Sequence, residues 1–252
     1  MKNSKIELLC NQLRFVEFAQ ALDKQMQSPL YAEMGFIERI EELLTTQLDA
    51  NTTRAIIRLT RQAKLRWPNA RIEETLAMHS ELNVQYIKAI VTCDWVSCHE
   101  NIIITGCTGV GKTHFACGLA NAALQRKLPV LFIRYPDLLL KLVTADREQE
   151  FGKLIKRLGR YKVLVIDDWG LAPPLEIERH LLFELIESKE QVASFIITSQ
   201  YDVTEWYAAF QDQALAEAVI DRLASCAHHF KLRGESARKI RGANKGGSYG
   251  AV

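Results

Sequence analysis

Two hydrophobic rhythms divide the chain. From residue 5 to 27 apolar positions recur at helical spacing, as Ile6, Leu9, Leu13, Val16, Leu22 and Met26. Ser28-Pro29 interrupts the run. A second helical pattern carries Phe36, Ile37, Ile40, Leu43, Leu44 and Leu48, and a third runs from about Thr53 to Arg66. Trp67-Pro68-Asn69 marks a boundary, after which residues 70 to 100 read as a connecting segment with one helix near Leu82 to Val91. Beyond it the pattern changes. Short apolar runs at 101–105, 130–134, 162–167, 194–198 and 227–232 alternate with helical patterns at about 112–126, 137–160 (interrupted), 176–190 and 214–225. Strands alternating with helices predict βαβ units, and hence an α/β fold with a five-stranded parallel sheet covered on both faces. A ligand is then expected at the carboxyl ends of the strands. The expected organisation is a helical N-terminal domain over 1–68, a linker over 69–100, an α/β domain over 101–241 and a flexible tail over 242–252.

The first strand leads into the most informative stretch. NIIITGCTGVGKT ends an apolar run in a glycine-rich turn that opens a helix, and Gly106, Gly111, Lys112 and Thr113 fit the phosphate-loop spacing G-x-x-x-x-G-K-[ST]. Glycines let the backbone wrap a polyphosphate with its N–H groups turned inward. Lys112 is expected to reach the β- and γ-phosphates, and Thr113 to offer its hydroxyl to Mg²⁺. The whole stretch Gly106, Cys107, Thr108, Gly109, Val110, Gly111, Lys112, Thr113 and His114 is therefore the expected ATP cradle.

Further along, KVLVIDD ends a buried strand in Asp167 and Asp168. Asp167 is expected near Mg²⁺, and Asp168 where it can orient or deprotonate an attacking water. At the tip of the fourth strand, Ser199 and Gln200 are expected to contact the γ-phosphate or the water, although Ser and Thr there also suit a helix cap. Arg222, on the amphipathic LAEAVIDRL, reads either as a surface ion pair or as an arginine given to a neighbouring subunit's nucleotide. Arg238 is a candidate for sensing the γ-phosphate within the same subunit.

Charge adds a second theme. The net charge is only +2, so its distribution matters more than its total. Between Asp49 and Glu73 stand six basic residues and no acidic one, with Arg54, Arg58 and Arg61 at i, i+4, i+7. With Lys64 and Arg66 beside Trp67, this segment suits phosphate neutralisation without base reading as well as it suits a solvated helix face. A second basic cluster comprises Lys153, Lys156, Arg157 and Arg160. The six cysteines form no paired CxxC framework, and Cys93, Cys98 and His99 lack the second ligand pair that a zinc site needs. No run of 18 apolar residues is present, and the expected setting is the cytoplasm.

Taken in order, HENIIITGCTGVGKTHFACGLA, VLVIDDWG, IITSQ, LAEAVIDRL and GESARK resemble the IstB-like ATPases, helper proteins of bacterial insertion sequences related to DnaC-type helicase loaders. LRFVEFAQAL and SPLYAEMGFIERIEELL resemble that family's helical N-terminal region, so the likeness covers nearly the whole chain. It implies an AAA+ fold, ATP-bound homo-oligomers on double-stranded DNA, and assistance to the transposase encoded beside them. It matches Gly106 to Thr113 to Walker A, Asp167 and Asp168 to Walker B, and Ser199-Gln200 to sensor I. Arg222 falls at the arginine finger and Arg238 at sensor II. It also implies an extra helical element after the second strand, here including Phe151 to Arg160. The chain departs from the common pattern in having Asp168 where many members have Glu, and Gln200 where Asn is frequent. Slow hydrolysis, stimulated by DNA or assembly, is the expected result. A helicase loader would use the same motor residues. A small-molecule kinase would need neither a trans arginine nor a basic N-terminal helix.

Overall fold

A computed structural model describes residues 4–234. Arg238 and the glycine-rich tail from Gly242 lie outside the described residues. The chain divides into two compact units, Met1–Arg58 and Leu59–Val252.

The first unit contains helices α1 (Ser4–Leu13) and α2 (Val16–Gln27), a 3₁₀ turn at Pro29–Tyr31, and most of α3 (Phe36–Ala63). The continuous helical pattern expected over 5–27 is broken at Arg14, whose φ of 59° no α-helix accommodates. The two patterns expected on either side of residue 50 instead join as one 28-residue helix. Its polar middle, Asp49 to Thr53, has moderate helix propensity, but nothing in it compels a stop. Leu43 is buried, and Gln47, also buried, accepts the Phe18 N–H at 3.1 Å.

The second unit follows the βαβ reading. Helices α4 (Ile72–Met78), α5 (Val84–Val91) and α6 (Asp94–Ser97) precede β1 (Asn101–Gly106). There follow α7 (Lys112–Gln125), β2 (Val130–Arg134), α8 (Tyr135–Arg147), α9 (Phe151–Leu158), β3 (Val163–Trp169) and α10 (Glu176–Lys189). The remaining elements are β4 (Ser194–Ser199), α11 (Val203–Phe210), α12 (Gln213–Ala224) and β5 (Ala227–Leu232). The five strands form a parallel sheet in the order β2-β3-β4-β1-β5.

Alternation along each strand distributes apolar residues to two cores, because successive side chains leave opposite faces. Ile102, Ile104, Val163, Val165 and Ile196 pack with α7 on one face. Ile103, Leu164, Ile166, Phe195 and Ile197 pack with α8, α10 and α12 on the other. The first core extends well upstream of the sheet. Leu59, Ala63, Leu65, Ala70, Leu82, Ile87, Ile90 and Trp95 are all part of it. The segment expected to be a linker over 69–100 is thus a covering layer of the sheet. Its helices have seven, eight and four residues, too short to give a clear periodicity.

Candidate functional site

The sheet order sets the site. β4 lies between β1, which ends in the phosphate loop, and β3, which ends in the acidic pair, so all three carboxyl ends meet. They open on a cleft of about 830 Å³ lined by Gly109, Gly111, Lys112, Thr113 and His114, together with Asp168, Gln200 and Arg134.

Glycine is required at two loop positions. Gly106 has φ 145°, and a Cβ there would stand 2.4 Å from the Leu232 carbonyl oxygen at the end of β5. Gly111, with φ 105°, caps the start of α7 in a conformation that other residues rarely adopt. Lys112 is buried, and its Nζ donates to the carbonyls of Gly106 at 2.7 Å and Cys107 at 2.8 Å. The ammonium therefore lies within the concave side of the loop.

Asp167 is fully buried, and its Oδ1 accepts the hydroxyls of Thr113 at 2.7 Å and Thr198 at 2.6 Å. Its Oδ2 is buried without a hydrogen bond among the described residues, and Arg66 Nη1 stands 3.6 Å away. Burial pushes the Asp167 carboxyl above the usual carboxylate range; the Thr198 and Thr113 hydroxyls, and more weakly Arg66, pull the other way. A buried carboxylate oxygen held beside a threonine hydroxyl suits Mg²⁺, which takes one or two protein oxygens and completes its shell with phosphates and water. Asp167 and Thr113 fit that role.

Thr198 is a site residue that sequence reasoning did not single out. β3 carries one residue too many against β4: Ile166 pairs with Ile197, but Trp169 pairs with Ser199. Asp167 and Asp168 share the space opposite Thr198, and Asp168 takes φ 62°. Thr198 Oγ1 consequently donates to Asp167 Oδ1 and accepts the Asp168 N–H at 3.1 Å. Ser199 lies deeper. Its hydroxyl donates to the Trp169 carbonyl at 2.9 Å and accepts from the Tyr201 N–H and Trp206 Nε1. Gln200 turns outward, and its Oε1 accepts the Thr108 hydroxyl at 2.6 Å. Of the two residues left open at this strand tip, Gln200 faces the phosphate loop and Ser199 braces the fold.

Arg66 also differs from expectation. Lys64, with φ 55°, follows the end of α3, and the chain then turns so that Arg66 and Trp67 line the nucleotide cleft. Trp67 faces the His114 ring at 6.5 Å between centroids, and His114 Nε2 contacts Glu74 at 2.9 Å. Arg54, Arg58, Arg61 and Lys64 are exposed, with Arg54 paired to Glu17. Lys153, Lys156 and Arg157 of α9 are exposed while Leu154 and Leu158 are buried, and Arg160, just after the helix, is exposed too. Arg222 lies away from its own cleft. Its carbonyl accepts from the Asn101 side chain at the start of β1, whereas the phosphate loop follows the other end of that strand. Its guanidinium contacts Glu190 at 3.1 Å and Glu187 at 3.6 Å and lies 5.3 Å from the Phe183 ring centre. Among the described residues no group of three or more His, Cys, Asp or Glu is arranged to hold a metal ion, and no helix is long and apolar enough to cross a membrane.

Residues 9–244 match the model of the IstB-like ATP-binding proteins. The chain belongs to that family. A relative named as an ATP-binding protein of insertion sequence IS1162, from Pseudomonas fluorescens, is 36% identical, the match covering 75% of this chain and 83% of the relative. Another insertion-sequence protein named for ATP binding, y4pL of Sinorhizobium fredii, is 32% identical over 91% of this chain and 94% of its own. A structure of the replication initiator DnaA with AMPPCP and single-stranded DNA superposes with a TM-score of 0.54 at 15% identity, covering 72% of this chain and 55% of that one. The IstB-like chain thus has an AAA+ P-loop fold and belongs to a family named for ATP binding.

Proposed function

We propose that this protein is an ATP-hydrolysing, DNA-binding AAA+ regulator that assembles on duplex DNA and assists the transposase of its insertion sequence. The observation that carries the reading is the meeting of Thr113, Asp167 and Thr198 beside the phosphate loop, with Asp168 one residue further on. The loop amides and Lys112 bind the phosphates. Thr113 and Asp167 hold Mg²⁺, which when bound neutralises phosphate charge and so favours attack by water. Asp168 orients that water, and Gln200 lies within reach of the γ-phosphate. Asp168 is one methylene shorter than glutamate, which supports slow turnover.

Arg222 cannot serve its own nucleotide from the far end of β1, so a catalytic role for it requires a second subunit. The exposed basic face of α9 and the exposed arginines of α3 support contacts to the DNA backbone, in which charge rather than base identity is read. In the first unit Leu8, Leu30, Phe36, Ile37 and Leu48 are more than half exposed, which supports a protein partner there.

ATPase assays with and without duplex DNA test the proposal. DNA should accelerate release of phosphate from ATP, and Lys112→Ala should abolish it. Turnover unaffected by DNA in a protein that binds ATP would overturn the DNA-coupled reading. Failure to retain the transposase of the same insertion sequence in a pull-down would overturn the assignment of partner.

A further inference from the structure

His79 stands outside every motif named above, yet it touches the phosphate loop. It follows α4, is 4% exposed, and places Nε2 2.9 Å from the Val110 carbonyl oxygen. A carbonyl oxygen can only accept, so Nε2 donates to it, and the carboxylate of Glu81 likewise accepts an N–H from Nδ1. The other ring nitrogen, Nδ1, lies 3.1 Å from Glu81 Oε1, and the same oxygen accepts the Arg233 N–H at 3.2 Å. Backbone N–H bonds, from Glu81 itself and from Arg233, hold the Glu81 carboxyl below its ordinary range, with His79 adding to the effect.

The consequence lies on the opposite side of one peptide. The Val110 carbonyl and the Gly111 N–H belong to the same peptide unit, and none of the peptide bonds described is cis. In a trans peptide these two groups point in opposite directions. Val110 is 3% exposed and does not line the cleft, whereas Gly111 does. Holding the carbonyl inward therefore turns the Gly111 N–H toward the place where a phosphate binds. With φ 105°, Gly111 would have the conformational freedom to rotate this peptide if nothing held it. We infer that His79 is a positioning residue for the phosphate loop: its Nε2–H pins the Val110 carbonyl and so presents the Gly111 amide to a nucleotide phosphate.

Glu81 extends the linkage. It orients the ring from Nδ1 and ties it to Arg233, the residue following β5. The end of β5 already supports the loop through Leu232, whose carbonyl oxygen lies under Gly106. Both ends of the loop are thus braced from outside its own sequence.

The inference rests on the nucleotide-site reading, and the test keeps the two separable. Binding of a fluorescent ATP analogue and steady-state ATPase are measured for Lys112→Ala, His79→Ala, His79→Asn and His79→Gln in the full chain, with circular dichroism as a check on folding. The Gln amide nitrogen occupies roughly the place of Nε2, whereas the shorter Asn reaches only toward Glu81. His79→Ala and His79→Asn should each weaken analogue binding and raise KM by about tenfold, with a smaller change in kcat, because a phosphate-holding amide acts on bound ATP before the chemical step. His79→Gln should restore affinity to within about threefold of the parent chain. Equal affinity in His79→Asn and the parent, or equal loss in Gln and Asn, overturns the inference. Retained binding in Lys112→Ala would instead overturn the nucleotide-site reading itself. If His79→Ala fails to fold, the comparison of Gln with Asn still decides.

Discussion

Arg134, the last residue of β2, reaches Asp168 across the bulge in β3, with Nη2 3.3 Å from Oδ2. The pair is partly exposed, so the contact is worth on the order of 0.5–1 kcal/mol. It nevertheless occupies the carboxylate proposed to orient water. Arg134→Ala is expected to raise ATP turnover in the absence of DNA about threefold, by releasing Asp168 toward the γ-phosphate. A fall in turnover under saturating ATP would sink this expectation and give Arg134 a role in the chemical step itself.

Thr198 and Ser199 are neighbours with separable effects. Thr198→Val keeps the shape of the side chain but removes one of the two hydroxyls on Asp167 Oδ1. The Mg²⁺ concentration giving half-maximal ATPase should rise about fivefold, and stability should drop by about 1–3 kcal/mol, because a buried acceptor is deprived of its donor. Ser199→Ala should lower stability by a similar amount, since it leaves the Trp206 indole and the Trp169 carbonyl without their hydroxyl. Its Mg²⁺ requirement should stay at the parental value. Magnesium titrations of both variants separate the two roles, and identical titration curves would refute the division.

These two residues also show how far the sequence could be read. Strands β1 to β4 were legible because each is a short apolar run with β-branched residues, and the phosphate loop because its glycines and lysine have a fixed chemistry and spacing. The extra residue in β3 left no such mark. It leaves Asp167 opposite Thr198 and brings Asp168 there too, where the unbulged register would set Asp168 against Ser199, and only strand pairing reveals it. Residues 59–100 were missed as core for a related reason. Leu59, Leu65, Leu82 and Trp95 are spread over short helices and turns, so their common burial emerges only in three dimensions. His79 is a single histidine between a short helix and a loop, with no pattern around it.

Arg222 can be tested by mixing. Alone, Arg222→Ala should bind ATP nearly as well as the parent chain, lose most turnover, and cost only about 0.5 kcal/mol of stability, because Glu187 and Glu190 are half exposed. Lys112→Ala should be inactive for a different reason. If Arg222 acts in trans, mixing the two proteins should restore part of the activity, since the phosphate loop of one variant then meets the arginine of the other. Absence of any recovery across mixing ratios would argue against a shared site.

For DNA, the geometry of α9 makes the sharper prediction. Its buried Leu154 and Leu158 fix the helix, leaving Lys156, Arg157 and the following Arg160 exposed. Replacing these three by Ala should weaken binding to unrelated duplexes alike and make the dependence of log affinity on log salt shallower by up to about three, or roughly 0.9 for each DNA phosphate that is no longer neutralised. Fluorescence anisotropy at several salt concentrations measures this, and an unchanged slope would move the DNA surface elsewhere.

Lys189, in the last turn of α10, is 1% exposed, and its Nζ is buried without a hydrogen-bond partner among the described residues. Burial lowers its pKa from the usual 10.5 to about 8, and the nearby positive charge of Lys162 adds to the effect. Below pH 8 the folded chain must bury an ammonium, at a cost of up to about 3 kcal/mol relative to the unfolded chain. Between pH 8 and 10.5 the folded chain has released that proton while the unfolded chain still holds it. The unfolded state then binds more protons, so this residue's contribution to stability rises with pH. Lys189→Met, which keeps the length and removes the charge, should therefore raise the melting temperature at pH 7. The gain should shrink as pH climbs from 8 toward 10. Urea unfolding of both proteins at pH 7 and pH 9.5 checks it, and a gain that is absent at pH 7 or equal at both values would mean that the buried ammonium is not what destabilises the fold.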